Sequence, residues 1–337
     1  MELKHGDRIG GLDGMRGVAA MAVLLYHYTW KFRSDFGHDF PTWLDFSWGL
    51  YGVQLFFMIS GFVIFMTANS CKTWGEFLVK RISRLYPTYW VCLAITFTAI
   101  TVFFLSDNRS RTLHEGLVNI TMLQTMFNVK SVDGAYWSLY PELLFYAIVS
   151  VVMVFGALRH LQWIGLAWLA VVWHGPIHLP GIWLDLEWGG FFLAGITGYR
   201  IAMMGERTWF NYAYLALTFL VNLKANHQWV VYPVIYAVFL LFVFGRASFL
   251  SHPWLRYLGA ISYALYLIHQ NIGYLIIKNL RAVGIPDLFA VVIAIGCAIG
   301  LAHMITYWFE KPMIPRFRKA LFRLKDRIGG SPATAAT

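Results

Sequence analysis

LDGMRGVAAMAVLLYHY, residues 12–28, has the length and apolarity of a membrane helix. It also carries three residues that such a helix does not ordinarily hold. Asp13 and Arg16 stand at its start and His27 near its end. On insertion scales a charge at mid-membrane costs about 2.5–3.5 kcal/mol, so ionisable residues there face the bundle interior or a water-filled path. Arg16 and His27 are eleven residues apart, which puts them about 20° from a common line and ~16 Å apart along the axis. Asp13 lies on the other side of His27 by about 40°, and it is an i,i+3 neighbour of Arg16. The three form one stripe. Singly, Arg16 reads as an anchor that snorkels to the interface, and His27 as a histidine satisfied by an interhelical hydrogen bond. Their alignment points instead to a wall of a pathway or site.

The rest of the chain agrees with a membrane setting. Of 337 residues 58% are hydrophobic and 13% charged, against about 25% charged in a soluble domain. Stretches apolar enough to span occur near 12–31, 49–69, 85–106, 137–155, 161–174, 182–203, 207–223, 229–245, 257–278 and 287–309. The expectation is an all-α polytopic membrane protein of about ten helices in one bundle. A short N-terminus (1–11) would precede the transmembrane domain (12–312), and a basic, partly disordered tail (313–337) would follow it. Within the long connection 107–136, LVNITMLQTMF reads as interfacial or re-entrant. If the N-terminus is inside, 19 of the 27 Lys and Arg fall on the inner side. That bias puts both termini in the cytoplasm and the chain in the cell membrane. The net charge of +10 is thereby a topological signal, and nucleic acid is not an expected partner. Cys71, Cys92 and Cys297 have no paired spacing and read as free thiols. The N-terminus shows no cleavable signal.

Further ionisable residues recur near the span ends. In FLVKRISRLYP, Arg81 and Arg84 share a helix face at the inner rim and Lys80 adjoins them. Guanidinium forks suit phosphate oxygens, although such a cluster also suits lipid headgroups. In WSLYPELLFY, Glu142 enters from the outer side to a depth similar to that of His27. A carboxylate beside an imidazole fixes its tautomer and raises its basicity, so Glu142 or Asp13 is the expected orienting partner of His27. In ISYALYLIHQN, Ser262, Tyr266 and His269 recur on one face with Tyr263 beside it. They make either a second polar wall, with Trp137 and Ser138, or a helix–helix seam. Glu310 reads as a rim residue paired with a basic group. His174, His178, Asp185 and Glu187 lack a regular frame for a metal, and none is expected.

Six pieces in this order resemble the membrane-bound acyltransferase-3 family across about residues 10–312. They are the entry with its basic residue, ten-residue gap and histidine (Arg16, His27), and GVQLFFMISGFVI. The RxxR of KRISRLYPTYW follows (Arg81, Arg84), then WSLYPE ending in Glu142, the S-Y-x-x-Y-L-x-H run of ISYALYLIHQ, and FEKP. The resemblance implies an acyl-CoA donor, most often acetyl-CoA, entering from the cytoplasm. It implies that the arginines bind the donor and that the first-helix histidine is central to transfer. It also implies O-acylation of cell-envelope or secreted carbohydrate, so that aromatic-rich outer segments such as FGHDFPTWLDFSWGLY would face a sugar or lipid-linked sugar.

The sequence-level mechanism follows. Arg16, Arg81, Arg84 and Lys80 hold the CoA phosphates. His27, oriented by Glu142 or Asp13, deprotonates an acceptor hydroxyl or carries the acyl group itself. Ser262, Tyr263, Tyr266, His269, Trp137 and Ser138 line the acceptor site. The alternative from another class is a proton-coupled transporter of an anionic or lipid-linked solute, with His27 and Glu142 as the relay.

Overall fold

A computed structural model describes residues 5–103, 105–174 and 186–328. Among these residues all regular structure is helical. Helix α1 (His5–Tyr26) passes through a π-helical turn (His27–Lys31) into α2 (Phe32–Phe36). There follow α3 (Gly52–Ser70), α4 (Trp74–Val102), the short α5 (Leu113–Asn119), α6 (Leu139–Val154), α7 (Leu161–His174), α8 (Gly189–Met203), α9 (Trp209–Asn226) and α10 (Val231–Val243). The chain closes with α11 (Pro253–Ala282), α12 (Asp287–Met304) and α13 (Lys311–Ile328), the last two joined by a second π-helical stretch (Ile305–Glu310).

Among the described residues each of the ten expected stretches overlaps a helix, the sixth from Gly189 onward. Five helical segments among the described residues are long and apolar enough to cross a membrane, namely Thr42–Ser70, Trp74–Val102, Gly134–Val154, Pro253–Ala282 and Asp287–Arg327. The protein is thus a multi-pass membrane protein. The other expected spans are shorter helices, such as α10 with 13 residues, or helices with a polar start, such as α1.

Two helices organise the site. Helix α11 is the central one, with 83% of its most apolar window buried. It lies against α1 at backbone distance. A Cβ on Gly259 would stand 1.8 Å from the carbonyl oxygen of Asp13, and one on Gly17 would stand 2.5 Å from that of Leu255. Small residues permit such an approach, the usual basis of tight helix pairs in lipid. The contact lays the Arg16–His27 stripe of α1 along the Ser262–His269 stripe of α11.

Two stretches differ from the sequence reading. Helix α4 starts at Trp74, capped by the Thr73 side chain accepting from Glu76 N, so Arg81 and Arg84 stand within the helix rather than before it. Residues 313–328, expected in a tail, form α13. That helix packs on α4 through Phe317 against Trp90 at 5.7 Å and through Arg318 Nε donating to Ser83 Oγ at 3.2 Å. Residues 329–337 lie outside the described residues, as do His178 and Asp185.

The connection after α4 doubles back along it. Tyr86, Tyr89 and Trp90 donate to the carbonyls of Thr121, Asn119 and Ile120 at 2.8, 2.7 and 3.0 Å. Tyr86 lies about 24 Å down α4 from Val102. Non-helical backbone at membrane depth persists only where its polar groups are satisfied within protein, and these three side chains satisfy it.

Candidate active site

The helices enclose two cavities that share Val53 and Tyr266 in their walls. One, of about 120 Å³, is lined by Arg16, Arg81 and Arg84 together with Ser138, Glu142, Ser262 and Tyr263. The other, of about 710 Å³, is lined by His27, Lys31, Asp35, Arg109, Arg111, Trp137 and Gln270. They are called here the arginine cavity and the histidine cavity.

In the arginine cavity the cations are held from behind. Arg81 is buried. Its Nη2 donates to the Val63 carbonyl at 3.1 Å and to Thr67 Oγ1. Its Nε is buried with no protein partner among the described residues. Arg84 Nη1 donates to Glu310 Oε1 at 2.8 Å, and Thr88 Oγ1 donates to Glu310 Oε2 at 3.1 Å. The Arg84 guanidinium lies 5.1 Å from the centre of the Tyr263 ring. Arg16 has only a loose pairing with Asp13, at 3.9 Å. Three guanidinium groups around a narrow cavity, one with an unused buried donor, suit a ligand with several anionic oxygens.

The histidine cavity is organised by the π-turn, where an extra residue per turn re-aims side chains. His27 is its first residue. His27 Nδ1 lies 2.9 Å from the Val23 carbonyl and 3.0 Å from His269 Nε2. His269 Nδ1 lies 2.9 Å from the Tyr266 carbonyl and 3.1 Å from that of Leu265. Carbonyls only accept, so His269 carries its proton on Nδ1 and presents a lone pair at Nε2. His27 then carries its proton on Nδ1, shared between Val23 O and His269. That leaves the lone pair of His27 Nε2 free, with no partner among the described residues, on a ring that lines the cavity. A neutral imidazole held in one tautomer with an open Nε2 has the form of a general base. Tyr28 OH donates to the His269 carbonyl at 2.7 Å and ties the two histidine segments together.

The expected partners of His27 are corrected. Glu142 does not pair with His27. It accepts from Ser60 Oγ at 3.3 Å and Tyr146 OH at 2.5 Å and faces the arginine cavity. Depth along a helix axis does not fix rotation about it, and the face of α6 that carries Glu142 and Tyr146 is turned towards α3 and α4. Asp13 pairs with Arg16 rather than His27. Lys80 is drawn to Glu76 at 2.7 Å and lines neither cavity. His269 stands behind His27 rather than on a cavity wall. Of the expected acceptor wall, Ser138, Ser262 and Tyr263 line the arginine cavity, and Trp137 lines the histidine cavity. Tyr266 divides the two. Its hydroxyl donates to the Ala135 carbonyl at 2.9 Å, and it lies 2.7 Å from Ser138 Oγ. Glu310 is paired with a basic group, as expected. Sequence reasoning missed Arg109 and Arg111, because cations in a connecting loop carry no periodicity, and also Lys31, which closes the π-turn, and Gln270, which follows His269 on α11.

Among the described residues no three His, Cys, Asp or Glu side chains gather into a metal-holding group.

One helical bundle thus sets a cavity lined by three arginines beside a cavity lined by a histidine with an open Nε2, with Tyr266 in both walls. Residues 9–308 match the acyltransferase-3 family, described as an acyltransferase domain. The chain belongs to this family of acyl-transferring enzymes. It is 23% identical to a protein of Acidianus two-tailed virus assigned as an acetyltransferase, over 80% of this chain and 84% of that one. It is 26% identical to a Staphylococcus aureus (strain COL) protein assigned as an O-acetyltransferase, over 77% of this chain and 50% of that one. It is 27% identical to the peptidoglycan O-acetyltransferase OatA of Listeria monocytogenes, over 51% of this chain and 30% of that one. The chain thus spans about half the length of its staphylococcal relative. No solved structure gives a significant match.

Proposed function

We propose that the protein moves an acyl group, in the first place acetyl, from acyl-CoA to a hydroxyl of a carbohydrate at the cell membrane. Acyl-CoA enters at the arginine cavity from the cytoplasm, with its phosphates on Arg16, Arg81 and Arg84. The unpartnered Arg81 Nε supports this fit. The narrow pantetheine arm passes Tyr266 and brings the thioester towards His27, ~16 Å along α1 from Arg16. The acceptor occupies the histidine cavity. Its hydroxyl gives its proton to His27 Nε2 as the oxygen attacks the thioester carbonyl. The C–S bond breaks, the ester forms, and the CoA sulfur leaves with the proton returned from His27. His269 accepts from His27 Nδ1–H, holds the ring in its tautomer, and steadies the imidazolium as it forms. The relatives assigned as O-acetyltransferases support the acyl group and the ester product, and OatA supports an envelope glycan as acceptor.

The observation that carries this reading is the free Nε2 of His27 in a cavity that adjoins the three arginines. Purified protein should be stabilised against heat by CoA and acetyl-CoA. Arg81→Lys should weaken that stabilisation, and His27→Gln should leave it intact. Protein that neither ligand stabilises would overturn the reading. A trapped acetyl-His27, formed from acetyl-CoA without acceptor, would replace the base by a nucleophile.

A further inference from the structure

The histidine cavity has a charge imbalance that the transfer reaction does not require. Lys31 Nζ lies 2.8 Å from Asp35 Oδ1, and Arg109 Nη2 lies 2.6 Å from Asp35 Oδ2. One carboxylate therefore serves two cations. Arg111 is the third. Its Nε donates to the Ser131 carbonyl at 2.8 Å, and its Nη1 donates to the carbonyls of Asn108 and Ser110 at 2.9 and 2.7 Å. No carboxylate lies within ion-pair distance of it among the described residues. These contacts fix the position of the guanidinium without a direct ionic partner, while Glu115 and the buried Asp133 act on it only from beyond ion-pair distance. All four side chains belong to the wall that holds His27. The lining carries three cations and one anion, a surplus of two positive charges.

Elsewhere on the same side of the bundle the cations are engaged differently. Arg33 is paired with Asp45 at 2.8 Å and Arg281 with Asp287 at 2.5 Å, while Lys278 donates to the Leu105 carbonyl at 2.6 Å. Lys278 thus resembles Arg111 in lacking a carboxylate partner among the described residues, but the group around His27 is the one that places three cations and a single carboxylate on one cavity wall. Lys and Arg are also sparse on the non-cytoplasmic side of membrane proteins, the side to which the proposed orientation assigns this cavity. Complementary potential selects partners and speeds encounter, and clefts lined by one sign of charge concentrate the opposite sign.

We propose that Lys31, Arg109 and Arg111 make the histidine cavity a site for an anionic acceptor, a glycan that bears a carboxylate or phosphate near the hydroxyl that His27 deprotonates. Arg111 meets the anionic group, and Lys31 and Arg109 turn part of their charge from Asp35 towards it. The inference rests on the acyl-transfer reading for the identity of the ligand as acceptor. The charge of the site is tested independently of that reading.

Ser34 lines the cavity and is exposed, so Ser34→Cys places a thiol there. Cys71 and Cys297 are replaced by serine in the full chain, and the buried Cys92 is kept. The rates of labelling by an anionic and a cationic methanethiosulfonate reagent are measured, each relative to its rate with a small thiol. The anionic reagent should be favoured by about tenfold or more. Lys31→Gln and Arg111→Gln should each lower the ratio, and Asp35→Asn should raise it. The opposite signs separate a charge effect from damage to the fold. A ratio of one or below, or a fall in ratio with Asp35→Asn, overturns the proposal. Three arms then identify the source of the anion. Protection of the thiol by a galacturonate oligomer or by inorganic phosphate supports an anionic acceptor. Protection by phosphatidylglycerol vesicles alone reassigns the surface to lipid headgroups and overturns it. Stabilisation by CoA is followed in the same variants. If it persists while the ratio fails, only the acceptor class is wrong. If it is absent throughout, the acyl-transfer reading fails with it.

Discussion

The two cavities divided by Tyr266 are built on opposite plans. In the arginine cavity, of about 120 Å³, Arg81 is gripped by α3 and Arg84 by Glu310, so charge is fixed in a narrow channel. In the histidine cavity, of about 710 Å³, the reactive ring is fixed and the space around it is wide. Held cations suit a ligand of fixed shape, because preorganised forks lose little entropy on binding. A chamber that admits a bulky acceptor needs only its base held rigidly. In the proposed reaction the held Arg81 and Arg84 meet the donor common to every turnover, and the wide chamber around His27 admits the acceptor.

The largest effect that can break this comparison is at His27. His27→Ala should lower the turnover of acetyl-CoA by about 10²–10⁴-fold, the range for removal of a general base. Its thermal stabilisation by CoA should match the wild type. Steady-state kinetics alongside a melting assay measure both.

Arg81→Lys sharpens the other half. It keeps the charge but removes the fork, so KM for acetyl-CoA should rise about tenfold with kcat little changed. A fall in kcat of the same size with unchanged KM would place Arg81 at the reacting end instead.

His269 tests whether the base is positioned. His269→Phe removes the acceptor for His27 Nδ1–H and should lower kcat by about tenfold while leaving KM for acetyl-CoA in place. His269→Gln, whose amide oxygen can accept the same proton, should recover part of that loss. Equal losses in the two variants would make His269 a packing residue only.

The smallest effect concerns Asp133, at the turn leading into α6. Its carboxylate accepts from Ala135 N at 2.9 Å and Asn271 N at 3.0 Å. Burial pushes its pKa up from 3.8 to about 6, against the lowering by those two N–H groups. A raised folded-state value means that the charged form is disfavoured in the native protein. The penalty is fully present above about 6 and gone below 3.8. Acidification through that window should raise the melting temperature of the wild type relative to Asp133→Asn, by a few degrees at most. A difference that does not change with pH would show that the carboxylate ionises freely.

Much of this arrangement was legible in the sequence because helices convert spacing into direction. Arg16 and His27 fall on one stripe by arithmetic, Arg81 and Arg84 on another, and Ser262, Tyr266 and His269 on a third. What spacing cannot supply is the rotation of one helix against another. Glu142 and His27 match in depth, yet the face of α6 is turned to the arginine cavity, and the partner of His27 comes from α11. The π-turn at His27 breaks the 3.6-residue period and left no mark in the apolar pattern. Arg109 and Arg111 reach the site from a loop, where the long-range fold alone sets position. Lys80 shows the converse. It adjoins the RxxR pair in sequence, but its i,i+4 neighbour Glu76 captures it.

The proposed reaction turns on His27, which lines the histidine cavity and takes the proton of an envelope-glycan hydroxyl as that hydroxyl accepts the acyl group. The most direct measurement is the ester-linked acetyl content of envelope polysaccharide, read by mass spectrometry in cells that lack the chain, in cells restored with it, and in cells restored with an equally abundant His27→Ala form. The account predicts acetyl restored by the wild type and absent with His27→Ala. Acetyl content restored equally by both would contradict it.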